Sequence, residues 1–126
     1  MNKVDITRKL YASAVAQDWE EFEQYLHPEF VIRESAALPY AGDYRGAKGF
    51  SDLVRTVFTY FSWLEVEPGY YMEGDEHVTA IVNLKGKGKK TGQDFQTTVL
   101  ELFRFKDGKV IEILPYYWDQ KLVNEI

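Results

Sequence analysis

From Leu64 onward the chain reads as four long segments separated by short turns. "LEVEPGYYMEG", "EHVTAIVNLKG", "DFQTTVLELFRF" and "KVIEILPYYWD" are rich in β-branched and aromatic residues, the pattern of strands. "EGDE" and "KDGK" stand at the turns between them. The Asp107–Gly108 pair is a strong hairpin signal, because the tight turn that suits strand twist needs positive φ at both central residues. Long consecutive strands joined this way predict an antiparallel meander.

The segment before the strands is helical. Ile6, Leu10 and Ala14 recur every four residues, with Val4 and Tyr11 beside that stripe. "AQD" breaks the pattern, and Asp18 reads as an N-cap with Glu20 and Glu21 at the positive end of the next helix. That second helix is expected to bury Trp19, Phe22 and Leu26 and to end at His27–Pro28. "EFVIRES" reads as a first strand and "AALPYAGDYRGAKGF" as a long loop. Helical spacing resumes near Ala47 through Phe50, Leu53, Val54, Val57, Phe58 and Phe61, a broad apolar face suited to lying on a sheet. Helices first and strands afterwards make an α+β arrangement, read as one domain over residues 1–126.

Composition narrows the function classes. A net charge of −5 with dispersed acids disfavours a nucleic-acid partner. The basic run "LKGKGKK" reads as a solvated hairpin end. The absence of cysteine removes disulfide and thiolate chemistry, and His27 and His77 lack ligand spacing, so no metal is expected. No signal-peptide pattern and no membrane-length apolar run is present, and the expected location is the cytoplasm, away from membranes. Aromatic residues make up 16% of the chain; they build cores, and they also line pockets for apolar ligands.

One acid interrupts a strand. Glu101 shares a face with Phe95, Thr97, Val99, Phe103 and Phe105, while Leu100, Leu102 and Arg104 share the other. Both faces are apolar enough to need covering, one by the helices and one by a partner subunit. On the last strand, alternation groups Ile111, Ile113, Pro115, Tyr117 and Asp119 against Val110, Glu112, Leu114, Tyr116 and Trp118. Enclosed by aromatics, Glu101 either pairs with a cation as a structural ion pair or keeps a raised pKa and moves protons near neutral pH.

The order of "YASAVAQDWEEFEQYLHPEFVIRES", "GDYRGAKGF" and "ELFRFKDGKVIEILPYYWD" resembles the SnoaL-like proteins of the nuclear transport factor 2-like superfamily, relatives of ketosteroid isomerases and polyketide cyclases. The resemblance implies a cone-shaped α+β barrel of cystatin-like fold. Three N-terminal helices would pack on a strongly curved antiparallel sheet around an apolar pocket. It implies a base at Glu34, an acid at Glu101, and Asp119 as the acid of cyclase-like members. A first-helix tyrosine should complete the oxyanion hole, but the gapless match falls on Leu10, with Tyr11 one residue away and pointing elsewhere. The Asp–Arg–Asp set of limonene epoxide hydrolase-like members is not evident, because alternation turns Arg33 away from Glu34.

Glu34 has the plain alternative of a solvent-facing strand end, and Tyr40 and Tyr44 that of loop anchors. Tyr11, Tyr40, Tyr44, Phe58, Phe103 and Tyr117 are the candidate ligand contacts. His27 reads as a helix cap, His77 as solvated, and Tyr116 and Trp118 as a dimer contact. The expected activity is cofactor-independent acid–base chemistry on a small hydrophobic molecule, of isomerase, cyclase or dehydratase type, in a homodimer formed through the outer sheet face. The alternative is a non-catalytic ligand-binding or protein-interaction domain of the same fold.

Overall fold

The computed structural model describes all 126 residues. Helix α1 (Lys3–Val15) starts at Asn2, whose side chain accepts from the Asp5 backbone N–H at 2.8 Å. It buries Ile6 and Leu10, and its buried Thr7 and Ser13 hydroxyls donate to carbonyls one turn back, at 2.9 and 2.8 Å. Gln17 takes a φ of 55° to end the helix. Asp18 then caps α2 (Trp19–Glu23), accepting from the Glu21 N–H at 3.2 Å.

The first strand, β1 (Leu26–Glu34), begins earlier than "EFVIRES" suggests. His27 and Pro28 lie inside it rather than ending a helix, in the stretch between Leu26 and Val31 where the register slips. Such an irregularity is where a strand tolerates a residue with no N–H. The long loop also contains a short strand, β2 (Gly42–Arg45), before α3 (Gly46–Val57). The rest is β3 (Phe61–Glu73), β4 (His77–Gly88), β5 (Asp94–Lys106) and β6 (Lys109–Tyr117), followed by α4 (Gln120–Glu125), which strand alternation gave no sign of.

One six-stranded sheet runs β2-β1-β6-β5-β4-β3. The meander from β3 to β6 is antiparallel as expected, and β1 joins it parallel to β6. Asp107 and Gly108 take φ of 53° and 76°, the mirror-image turn that their sequence demands. The β5–β6 register slips between Arg104 and Phe105: Arg104 faces Glu112, but Phe105 faces Val110. Ile111 is the extra residue of this bulge. Val110 therefore joins the core face with Ile113, Pro115 and Tyr117, whereas uninterrupted alternation had grouped it with Glu112.

The helices cover the concave face, forming with it a core of 23 buried hydrophobic residues that includes Phe22, Phe30, Phe61, Val82 and Phe103. Helix α4 closes one end, burying Val123, and Ile126 lies so close over Gly88 that a Cβ there would stand 2.2 Å from the Ile126 carbonyl oxygen. The convex face carries a charged row. Arg33 donates to Asp43 at 2.6 Å and to Glu112 at 2.7 Å, and Arg104 donates to Glu112 at 3.0 Å. Leu100, Tyr116 and Trp118 are exposed on this side. No helix is long and apolar enough to cross a membrane.

Candidate active site

Between α1, α3 and the concave face lies a cavity of about 380 Å³, lined by eighteen residues of which fifteen are hydrophobic. Tyr11, Ala14 and Val15, at helical i, i+3 and i+4 spacing, bring one side of α1 to it. Phe50, Leu53, Val54, Val57 and Phe58 bring α3, and Ile32, Leu64, Val66, Val82, Leu84 and Val99 supply the sheet wall. Among these apolar groups stand Glu34, Glu101, Tyr117 and Gln17.

The sheet itself places the two acids. Ile32 pairs with Ile113, and two residues further along β6, Pro115 pairs with Glu101. Glu34, two residues beyond Ile32, thus flanks Pro115 on one side as Glu101 does on the other. Proline has no N–H to donate, and the β1–β6 ladder ends before it. Ala80, the other neighbour of Glu101, is small. Both acids therefore face the cavity from the same level of the sheet.

Their surroundings differ. Tyr11 donates its hydroxyl to Glu101 Oε1, and its ring meets Phe103 edge-on at 5.6 Å. Burial pushes the Glu101 pKa up, and the Tyr11 hydrogen bond pulls it partly back down. Glu34 is 9% exposed, and its Oε1 is shielded with no hydrogen-bond partner. Burial first, then the Glu101 charge, push its pKa to about 8. Burial, the Glu101 charge and the hydrogen bond to it all raise the Tyr11 phenol. Glu101 alone of the two receives a hydrogen bond, which favours its ionised form, while burial and then the Glu101 charge favour the protonated form of Glu34.

A second hydroxyl pair stands behind. The Tyr40 and Tyr117 hydroxyls are 2.7 Å apart, and Tyr44 donates to the Tyr40 carbonyl at 3.0 Å. Tyr40 is 2% exposed and its hydroxyl has no other partner; either hydroxyl of the pair can be the donor. Burial, and then the Glu34 charge, raise the Tyr117 phenol; burial likewise raises Tyr40.

Of the sequence-derived candidates, the fold brings Glu34, Glu101, Tyr11, Phe58 and Tyr117 to one cavity. The first-helix tyrosine is not missing: Leu10 is buried in the core, while Tyr11 reaches Glu101. Register matching along a helix cannot settle this, because the helix's rotation about its own axis decides which neighbour faces inward.

Asp119 is displaced from the role expected of it. The strand ends at Tyr117, so alternation does not extend to Asp119, which is exposed and caps α4 by accepting from the Leu122 N–H at 3.0 Å. Phe103, Tyr40 and Tyr44 do not line the cavity but support Tyr11 and Tyr117 from behind. His27 caps no helix; its Nδ1 accepts from the Glu29 N–H at 3.0 Å within β1. His77 is half-buried in β4, opposite Arg104. An acid–arginine–acid row does exist, in Asp43, Arg33 and Glu112, but on the convex face.

Sequence reasoning missed Ala14, Val15 and Gln17, the end of α1 that borders the cavity. The apolar breadth of α3 was a usable signal, since it exceeds the stripe needed to pack on a sheet.

The chain matches the SnoaL-like domain over residues 7–113. No curated protein matches it in sequence. Among solved structures, it is similar to a nuclear transport factor 2-like protein of unknown function from Burkholderia pseudomallei K96243. The TM-score is 0.85 and the identity 16%, over 100% of this chain and 99% of the other. TerC, co-crystallised with polyporic acid, has a TM-score of 0.82 at 16% identity over 97% and 95% of the two chains. A protein of ketosteroid isomerase-like fold from Catenulispora acidiphila DSM 44928, in complex with trimethylamine, has a TM-score of 0.74 at 14% identity, covering 94% and 90%. At these identities the structures speak for the fold, which is the cone-shaped α+β one. With the sequence match spanning most of its length, the chain belongs to the SnoaL-like domain family.

Proposed function

We propose that the cavity binds a small hydrophobic carbonyl compound and moves a proton next to the carbonyl without a cofactor, as an isomerase, cyclase or dehydratase does. The observation that carries this reading is Glu34: a buried carboxyl with a shielded oxygen that has no partner, facing the same apolar space as a second acid. A fold assembled for packing alone has no reason to leave that group unsatisfied. An unpartnered buried carboxyl stores a cost that a ligand can relieve.

The resemblance assigns the base to Glu34 and the acid to Glu101; the surroundings favour the reverse. Glu101, held by Tyr11, is the carboxylate that takes the proton from carbon. Glu34, protonated up to about pH 8, donates to the carbonyl oxygen as negative charge develops there, with Tyr117 as a second donor. Return of the proton from Glu101 to a different carbon completes an isomerisation. The pocket's size and lining suit a ring system, and the likeness to TerC, crystallised with polyporic acid, is compatible with one.

Deuterium uptake α to the carbonyl, followed by NMR in D2O over a panel of cyclic ketones including 2-tetralone, tests this. Uptake should be faster with the wild-type protein than with Glu101→Gln. Equal rates for both across the panel would leave the non-catalytic ligand-binding alternative, which the same cavity also suits. For the expected homodimer, the contact we propose is the exposed Leu100, Tyr116 and Trp118 group on the convex face. Sedimentation of Tyr116→Lys should then show a monomer where the wild type shows a dimer.

A further inference from the structure

The cavity reaches solvent past Val15, which is 78% exposed, and Phe58, 45% exposed. There it adjoins a groove that shares Gln17, Val54 and Phe58 with it and adds Arg55 and Lys89. The groove's charges are one-sided. No acid lines it, Lys89 makes no ion pair, and its backbone N–H is fixed on the Tyr60 carbonyl at 2.9 Å. Arg55 shares Asp52 with Lys48, so one acid answers two cations. On a chain of net charge −5 this is a local positive rim beside an apolar mouth.

Inside the cavity the balance is the opposite. Its charged residues are Glu34 and Glu101, and no Lys or Arg reaches it. An anionic group entering there would meet the Glu101 charge in apolar surroundings, where repulsion is strong. A ligand with an apolar body and one anionic end can bind in a single orientation only, body inward and anion at the rim.

Building on the reading of the cavity as the site, we propose that its ligand carries a carboxylate at the end remote from the reacting carbonyl, seated between Arg55 and Lys89. The rim then selects for the acid over its neutral analogues and orients the ring toward Glu101 and Glu34. Gln17, held at the mouth by the turn after α1, offers an amide to the same end.

Titration calorimetry with 2-naphthylacetate and its methyl ester, against wild-type protein, Lys89→Gln and the Arg55→Gln/Lys89→Gln double variant, tests this. The acid should bind wild type about tenfold more tightly than the ester at low salt. That preference should shrink in Lys89→Gln, vanish in the double variant and fall as salt is raised, while ester affinity stays level throughout. Equal affinity of acid and ester for the wild type would overturn the proposed rim, and measurable ester binding would leave the cavity reading standing. Binding of neither probe, together with no deuterium uptake by the ketone panel, would overturn both.

Discussion

Glu34 and Glu112 are equally buried, each 9% exposed, yet their acidities move in opposite directions. Glu112 lies on the convex face. Burial pushes its carboxyl up, but hydrogen bonds from Arg33 and Arg104 outweigh this and hold it below the usual carboxylate range. Glu34 lies on the concave face with no cation, no donor and the Glu101 charge nearby, and its pKa rises to about 8. The residue that would have neutralised it is its own neighbour, Arg33, which strand alternation sends to the other side to serve Glu112. One face uses its acid for cohesion; the other leaves its acid without a partner. The lesson is that burial alone does not single out a candidate site, whereas burial without a partner does.

The sharpest way to break this comparison is to neutralise the concave acids separately. Glu101→Gln removes the proposed base and should lower deuterium uptake by about 10³-fold or more. Glu34→Gln keeps a hydrogen-bond donor and should lower uptake by only about 10- to 100-fold. If Glu34→Gln is the more damaging of the two, the roles are those implied by the family resemblance. The wild-type rate should rise as Glu101 ionises and fall through about pH 8 as Glu34 loses its proton, and Glu34→Gln should lose that alkaline limb.

Stability should respond at Glu34 with the opposite sign. The folded state holds this proton up to about pH 8, whereas the unfolded chain releases it near 4.5. Stability is therefore full below 4.5 and declines as pH rises to about 8. At about 1.4 kcal/mol per unit the loss is on the order of 5 kcal/mol. Denaturant melts of Glu34→Gln should lack that decline and show a protein more stable than wild type at pH 9.

On the convex face the slope reverses. Glu112→Gln should destabilise the fold by about 1–2 kcal/mol at pH 7, discounted because Arg33 and Arg104 are partly in solvent. The Glu112 contribution is present above the ordinary carboxylate range and disappears as pH falls through its lowered value. Uptake rates should be untouched. The smallest effect belongs to Asp119, where Asp119→Ala should cost about 1 kcal/mol by uncapping α4 and leave the uptake rate unchanged. A large loss of rate there would return Asp119 to the site.

Much of the fold was legible along the chain because its signals are local. Alternation marked the strands of the meander, Asp107–Gly108 marked its last turn, and Asp18 marked the start of α2. The elements that escaped are those held by distant partners. Strand β2 forms only against β1, and α4 only by burying Val123 at the open end of the sheet. The bulge at Ile111 is equally invisible to alternation, which assumes an uninterrupted register.

The sequence by itself determined which residues share a face within an uninterrupted strand, since side-chain direction there follows from a period of two. Glu101 among apolar neighbours and Arg33 opposed to Glu34 were both readable on that ground. Only the tertiary structure decided which of those faces enclose a cavity and which side chains meet in it. Tyr11 rather than Leu10 reaches Glu101, and Glu34 is left without a partner, because helix rotation and sheet pairing are set by packing between residues far apart in the chain.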